Sequence, residues 1–287
     1  MNSAPKQLAT FAGVLAALFA GGAIAGQLID ADPDGGDADA HDSGAAAHSD
    51  GSGHGGEPVQ TVRGLAVAES GLRLAVDDPE LARGRAERLR FSVVDDGGAT
   101  VRDFDVEHTK RMHVIVARRD LTGFQHLHPR QAEDGSWSVK LRLDEAGSYR
   151  VFGDFSYKGE AITLASDLRV DGDADLRDLP SAEPTAVSDG GYDVRLDAGG
   201  EAAGEETELR FAITRGGEPV RTEPYLGAGG HLVALREGDL AFLHVHPEDD
   251  GVRFAATFPT AGRYRLFLQF KHEGRVQTVA FTQEVAR

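Results

Sequence analysis

The stretch HVIVARRDLTGFQHLHP, His113 to Pro129, decides the fold, and it returns as HLVALREGDLAFLHVHP, His231 to Pro247. Each copy has a histidine, twelve residues and then His-x-His-Pro. Apolar residues in MHVIVA, GHLVAL, FQHLH and FLHVH alternate as they do in strands, and the polar residues between them indicate a turn. Each copy therefore predicts a β-hairpin.

A hairpin that pairs symmetrically about its turn brings the histidines of one copy together. Such pairing places His113 opposite His126, and cross-strand neighbours lie about 4.5–5.5 Å apart at Cβ. His128 shares a face with His126, because side chains two residues apart on a strand point to the same side. The sequence thus predicts two three-histidine patches, one formed by His113, His126 and His128 and the other by His231, His244 and His246.

A structural role for these histidines is the alternative interpretation. A register slip of one residue would send one histidine to the other face of the hairpin. Histidines among apolar residues also occur as core residues that hydrogen-bond to the backbone. The identical spacing in both copies favours metal ligation, although duplication alone would reproduce that spacing.

The two hairpins lie in two copies of one domain. RLRFSV, Arg88 to Val93, matches ELRFAI, Glu208 to Ile213, and AGSYRVFGDFSYKG after the first hairpin matches AGRYRLFLQFKHEG after the second. Each copy holds about seven short alternating segments separated by Gly, Asp or Pro turns. We therefore predict an all-β fold of two tandem antiparallel β-sandwich domains, immunoglobulin-like or cupredoxin-like. The predicted domains span 59–175 and 186–287.

The amino-terminal region differs from these domains. Leu8 to Ile24 is an apolar run preceded by Lys6, and an A-x-A sequence of the kind that signal peptidase recognises ends at Ala25. Residues 1–29 are therefore predicted to be a cleaved signal peptide or a hydrophobic membrane-anchoring helix, which places the bulk of the chain outside the cytoplasmic membrane. Residues 30–58 are rich in Asp, Gly, Ala and Ser and include three histidines but no Lys or Arg, so we predict a disordered acidic linker.

Composition excludes several classes of function. The net charge of −17 and the pI near 5.0 argue against a nucleic-acid partner, because phosphate binding needs a basic face. The chain has no cysteine, so disulfides, thiolate nucleophiles, zinc ribbons and type 1 copper sites are excluded.

A carboxylate in the first copy is a further candidate ligand. Asp154 lies within VFGDFSY, where a charge among apolar residues is costly unless it is hydrogen-bonded, paired or bound to a metal. We predict that it is a fourth ligand or an acceptor that orients a ligating imidazole. Gln269 stands at the matching position of the second copy, so two sites would differ in affinity. His108 and His272 are expected to be surface histidines.

Three longer segments carry a resemblance to a known family. They are EHTKRMHVIVARRDLTGFQHLHP, AGSYRVFGDF and EPYLGAGGHLVALREGDLAFLHVHP. Over Gly64 to the carboxyl terminus, the chain resembles secreted or membrane-anchored tandem β-domain proteins of actinobacteria that are often described as heavy-metal-associated. The resemblance implies metal handling, and it implies an aspartate where Gln269 stands, so this departure bears on the carboxylate of the second site.

The leading hypothesis is a non-catalytic extracytoplasmic protein that buffers or delivers Cu(II) or Zn(II). Neutral imidazole suits both ions, and the affinity order that peaks at Cu(II) favours copper. Its partners would be the metal ion, another envelope or metal-transport protein, and the membrane if the amino-terminal helix is uncleaved. The candidate ligands are His113, His126, His128, Asp154, His231, His244 and His246.

Two other classes of function are open. FLHVHP resembles the FHVH segment of copper/zinc superoxide dismutase, but the later histidines and the disulfide of that enzyme have no counterpart in the sequence. Neither a GxSxG elbow nor an HExxH helix is found, which further disfavours an enzyme. The remaining class is a membrane-tethered envelope interaction module in which the histidines only support the fold.

Overall fold

The computed structural model describes residues 62–199, 202–243, 245–248 and 251–287, which form twenty β-strands. The first repeat contains β1 (Ala68–Glu69), β2 (Leu72–Val76), β3 (Glu80–Leu81), β4 (Ala86–Asp95), β5 (His113–Arg118), β6 (Gln125–Leu127), β7 (Arg130–Gln131), β8 (Trp137–Arg142), β9 (Gly147–Tyr157) and β10 (Glu160–Val170). The second contains β11 (Thr185–Val187), β12 (Asp193–Ala198), β13 (Glu206–Arg215), β14 (Glu218–Pro219), β15 (His231–Arg236), β16 (Phe242–Leu243), β17 (His246–Pro247), β18 (Arg253–Thr257), β19 (Gly262–His272) and β20 (Arg275–Val285).

For the residues that the structure describes, the prediction of an all-β fold with two tandem domains is confirmed. The predicted amino-terminal helix and linker, residues 1–58, lie outside the described residues. Within the described ranges there is no helix of sufficient length and apolarity to cross a lipid bilayer.

Each repeat is built from two sheets. The sheets of the first repeat have the strand orders β1-β2-β4-β8-β7 and β3-β10-β9-β5-β6, and those of the second have the orders β11-β12-β13-β18-β17 and β16-β15-β19-β20, with β14 beside β13. The strands described here pair in antiparallel fashion, apart from the short parallel pairing of β3 with β10, and an isolated bridge between Ala202 and Ala286 is also parallel. Alternate residues from the two sheets of each repeat meet in a separate apolar core, as in other β-sandwiches.

A tyrosine ties down the same corner in both repeats. The hydroxyl of Tyr149 donates a hydrogen bond to the carbonyl oxygen of Glu145 at 2.8 Å, and Tyr264 donates in the same way to Thr260 at 2.9 Å. A tyrosine that bonds back to the backbone a few residues upstream is a feature of immunoglobulin-type sandwiches. The same tyrosine-to-backbone hydrogen bond therefore stabilises the equivalent corner of each repeat.

A third apolar cluster joins the two repeats. Ile115 and Phe152 from the first repeat pack in it with Val233 and Phe267 from the second. The ring of Phe267 also stacks on Phe124, with centroids 4.0 Å apart and planes inclined by 6°. The sheet containing β5 and the sheet containing β15 thus bury one face in their own domain and the other face against each other, which brings the two histidine hairpins to one interface.

Candidate metal centre

The first hairpin positions three histidines at the edge of this interface. His113 begins β5, His126 lies in β6 and His128 follows β6. Ile115, and not His113, is opposite His126, so the predicted register is wrong by two residues. A shift of two residues preserves the face on which each side chain lies. The histidines therefore still meet, although they are not paired as predicted.

The three rings are close enough to share one ion. His113, His126 and His128 each offer a ring nitrogen, and these nitrogens lie within 4.8 Å of one another. Their ring centroids are 5.2 Å, 5.1 Å and 4.9 Å apart. Because a metal binds imidazole nitrogen at about 2.0–2.1 Å, rings that share an ion at angles of about 90–110° have centroids about 4.5–5.3 Å apart. The observed spacing matches that arrangement.

Hydrogen bonds fix which nitrogen of each ring faces the cluster. Nε2 of His113 lies 3.3 Å from the carbonyl oxygen of Glu107, and Nδ1 of His126 lies 2.7 Å from Oε1 of Gln269. The amide nitrogen of Gln269 in turn donates to the hydroxyl of Thr278 at 3.2 Å, which is consistent with this amide orientation. Because both outer nitrogens face acceptors, we assign the protons to them, which leaves lone pairs on the inner nitrogens. These inner atoms, Nδ1 of His113 and Nε2 of His126, are 3.0 Å apart.

Burial keeps the rings of the cluster neutral. Desolvation lowers the pKa of His113 to about 4, against the opposing charge of Asp154. Desolvation, followed by the neighbouring His113 and His128, lowers the pKa of His126 to about 3. The pKa of His128 is lowered to about 4, again chiefly by burial. All three imidazoles are thus in the neutral form, with one proton per ring, that ligates metals near neutral pH.

The second repeat contributes a fourth imidazole to the same place. His231 begins β15, and its ring centroid is 4.6 Å from that of His126 and 5.8 Å from that of His113. The sequence predicted that His231 would belong to a separate patch, but it lies beside the first one. Burial lowers its pKa well below the usual value. Nδ1 of His231 and Nε2 of His128 are buried and have no hydrogen-bond partner among the residues that the structure describes.

The other two histidines of the predicted second patch are only partly described. His244 lies outside the described residues, and of His246 only the backbone is described. That backbone pairs with Ala255 in β18 instead of continuing the hairpin of β15 and β16. The two hairpins share one register, because Ala234 is opposite Leu243 as Val116 is opposite Gln125, and the strand after each hairpin joins the other sheet of its repeat.

Asp154 and Gln269 occupy equivalent positions, as the alignment of the repeats indicated. Asp154 is paired with His113 across β5 and β9, and Gln269 is paired with His231 across β15 and β19. The hydroxyl of Thr163 donates to Oδ1 of Asp154 at 2.7 Å, and burial raises the pKa of this carboxyl group. The close group of three ligands does not include Asp154. Asp154 therefore places a carboxyl group beside His113, whereas the side chain of Gln269 extends across the interface and contacts His126.

His108 is a member of this neighbourhood that the sequence reasoning missed. Its ring centroid lies 6.3 Å from that of His113 and 6.0 Å from that of His231. It is held in a tight turn with φ of 47°, followed by Thr109 with φ of 68°. Such conformations are rare for residues other than glycine and cluster at functional sites. The sequence signal for this unusual turn was Thr109, a β-branched residue at the position where the second repeat has Gly227.

Together the fold and the buried imidazoles define a tandem β-sandwich protein with a candidate metal centre between its repeats. The family model described as Domain of unknown function (DUF8832) matches residues 66–172 and again residues 185–287. The chain therefore belongs to this family, with two copies of its domain. No curated protein matches the sequence.

The solved structures that match this chain are distant from it. The Lin-41 filamin domain is 14% identical with a TM-score of 0.26, over 37% of this chain and 97% of that domain. FdeC, an adhesin of Escherichia coli, is 16% identical with a TM-score of 0.27, over 77% of this chain and 66% of that one. A chimeric titin Z1Z2 tandem is 14% identical with a TM-score of 0.21, over 74% and 97%. The chemistry of the site, rather than these similarities, therefore indicates function.

Proposed function

We propose that this protein is a non-catalytic, extracytoplasmic metal-binding protein that holds Cu(II) or Zn(II) for buffering or delivery. The carrying observation is that two ring nitrogens, Nδ1 of His113 and Nε2 of His126, face each other at 3.0 Å while the opposite nitrogen of each ring faces an oxygen atom. In the tautomers that donate to those oxygens, two lone pairs meet at this distance, and they repel each other unless a cation lies between them.

The distance itself fits a shared ion. Two nitrogens bound at about 2.0–2.1 Å lie about 2.9 Å apart when the angle at the metal is 90°, and about 3.3 Å apart when it is tetrahedral. Nε2 of His128, which has no partner within the described ranges, supplies a third donor from the same group. Protonation of one ring would also relieve the repulsion, but burial lowers the pKa of both rings far below neutrality.

The donor set supports Cu(II) and Zn(II) ahead of other ions. Imidazole nitrogen suits both of these ions, whereas Mg²⁺ and Ca²⁺ take oxygen ligands. The absence of cysteine from the sequence removes the thiolates on which closed zinc ribbons and type 1 copper sites depend. The predicted signal peptide or anchor supports a location outside the cytoplasmic membrane.

Calorimetric titration of the metal-free full chain with Cu(II) and Zn(II) near pH 7 tests this proposal. The chain is purified without a polyhistidine tag, in a background in which His41, His48 and His54 of the linker are replaced by Asn. We expect binding that is lost in the His126→Gln/His128→Gln variant. The matched control is His272→Gln, because Nδ1 of His272 lies 2.8 Å from the Tyr192 hydroxyl and contacts that side chain instead of the cluster.

Loss of binding only in the cluster variant, with circular dichroism unchanged, supports the proposal. Absence of binding in the folded parent would overturn it and favour the envelope interaction module. If the cluster variant does not fold, the Cu(II) electron paramagnetic resonance spectrum of the parent decides the question. Splitting from several imidazole nitrogens is expected, and a spectrum of hydrated or oxygen-bound copper contradicts the proposal.

A further inference from the structure

His231 and Gln269 reach the first repeat's cluster from the second repeat. The ring of His231 is tilted by 35° to that of His126, with centroids 4.6 Å apart. Oε1 of Gln269 accepts the hydrogen bond of His126 Nδ1 at 2.7 Å. One ring of the first repeat is thus in contact with two side chains of the second.

One ring nitrogen of His231 is available as a ligand. Its Nδ1 is buried without a hydrogen-bond partner among the described residues, which is unusual because buried polar atoms are nearly always paired. A buried imidazole nitrogen in this position can act as a metal ligand. Nε2 of His128 is in the same state.

The geometry points to one metal site shared by both repeats, in which the second repeat supplies His231 as a ligand and Gln269 as the group that orients His126. This inference rests on the proposed metal-binding function. Four imidazoles suit a tetrahedral Zn(II) or a tetragonal Cu(II) ion. His231 approaches from the side of His126 and lies outside the close group of three, so ligation by all four rings requires a side-chain adjustment on binding.

The interface between the two repeats also has contacts of its own, so a bound ion would stabilise it further. The backbone N–H of Phe242 donates to the carbonyl oxygen of Arg63 at 2.9 Å. Arg263 donates to the carbonyl oxygen of Leu179, in the segment between the repeats, at 2.7 Å. Because an ion that binds only the folded, docked repeats stabilises that state by mass action, metal binding should make the repeats unfold as one unit.

Metal stoichiometry separates a shared site from two separate ones. In the background without linker histidines, native mass spectrometry and calorimetry should give one tightly bound ion per chain. His231→Gln should weaken that binding at least tenfold, whereas His272→Gln should leave it unchanged. X-ray absorption of the Zn(II)-bound parent should give four imidazole nitrogens.

Several outcomes would overturn the shared site while leaving the proposed function intact. They are two tight ions per chain, or one ion whose affinity is unchanged in a folded His231→Gln variant. An X-ray absorption spectrum of the Zn(II)-bound parent that indicates three imidazoles plus solvent would also overturn the shared site. Because this spectrum is measured on the parent, it decides the question even if the His231→Gln variant does not fold. Absence of any binding by the parent would instead overturn the proposed function and the shared site together.

Discussion

Nδ1 of His113 lies 3.0 Å from Nε2 of His126, while the opposite nitrogen of each ring faces an oxygen atom. The outer oxygens belong to Glu107, in a turn of the first repeat, and to Gln269, in the second repeat. The protonation pattern of this pair is therefore set from both sides of the interface. This pattern is the one that the proposed metal site requires, and it differs from that of an ordinary hydrogen-bonded pair of histidines.

We expect nitrogen NMR of the metal-free protein near pH 7 to find His113 protonated at Nε2 and His126 protonated at Nδ1. Both protons have oxygen acceptors in those tautomers, and Zn(II) should then shift the two inner nitrogens. The opposite result is a proton on Nε2 of His126, donated to His113. That would mean that the Gln269 amide is turned around and that the pair is hydrogen-bonded without metal.

The Gln269 side chain should tune metal affinity from outside the ligand set. Loss of an acceptor that orients a ligating imidazole typically weakens metal binding by about 10–100-fold. We therefore expect Gln269→Leu to lose about this factor in calorimetry and Gln269→Glu to retain or exceed the parental affinity. Gln283→Leu is the control, because Gln283 is also buried but donates to the backbone of Glu284. Equal effects of the two leucine variants would contradict an orienting role.

Much of this architecture could be predicted from sequence alternation and repetition. The period of two identified the strands around His113 and His126, and the repeat identified the two domains. The predicted pairing of His113 with His126 is wrong by two residues, because the centre of the turn lies one residue further along the chain than that pairing requires. Ile115 is the residue opposite His126. The prediction of a common face survived because that face depends only on the parity of the register.

The position of His231 beside the histidines of the first repeat could not be derived from hairpin geometry, which is local. A sequence signal was nevertheless present in the uninterrupted apolar run VIVA of HVIVAR. In the structure, all six residues of this strand, β5, are buried. Continuous apolar runs are typical of strands covered on both faces. Val114 faces its own domain core and Ile115 faces the other repeat. A histidine at the start of such a strand was therefore a candidate for the interface between domains.

The turn before the cluster offers a test of backbone strain that uses the two repeats as each other's control. Thr109 has φ of 68°, and the equivalent Gly227 has φ of 88°. A left-handed conformation costs a residue with a side chain about 1–2 kcal/mol. We expect Gly227→Thr to lower the free energy of unfolding by about this amount. Thr109→Asn should raise it by about 0.5–1 kcal/mol, because asparagine tolerates this region. Urea denaturation measures both, and opposite signs would contradict the strain.

The buried histidines should make the metal-free protein lose stability as pH falls. The folded-state pKa values are lowered to about 4 for His113, about 3 for His126 and about 4 for His128, against an ordinary value of about 6.5. Below about pH 6.5 the unfolded chain takes up protons that the folded protein does not, so stability is complete above that pH and falls toward about pH 4. Each ring contributes at most about 1.4 kcal/mol per pH unit.

Urea denaturation at intervals from pH 7 to pH 5 measures this slope. His126→Gln should reduce it by up to about 1.4 kcal/mol per pH unit, because one of the titrating rings is gone. An identical slope in parent and variant would show that the His126 ring is protonated or solvated in the folded state.

The turn of the first hairpin is fastened by a buried ion pair whose loss should be severe. Arg118 and Asp120 have side chains that are only 2% and 3% exposed. Nε of Arg118 donates to Oδ1 of Asp120 at 2.9 Å, and the backbone N–H of Arg177 donates to the same carboxylate at 2.9 Å. The pair thus also holds the segment that leads to the second repeat. We expect Asp120→Asn to lower the free energy of unfolding by about 3–5 kcal/mol, because it leaves a buried guanidinium without its main partner.

An exposed pair in the same domain serves as the control for that substitution. Arg142 and Asp144 form a comparable contact, but their side chains are 61% and 63% exposed. Solvent-exposed pairs contribute at most about 1 kcal/mol, so Asp144→Asn should have little effect in the same urea titration. If Asp120→Asn were equally mild, Glu145, which also contacts Arg118, would be sufficient to compensate the buried charge. The Asp120→Asn/Glu145→Gln double variant would then show the large loss that the single variant lacks.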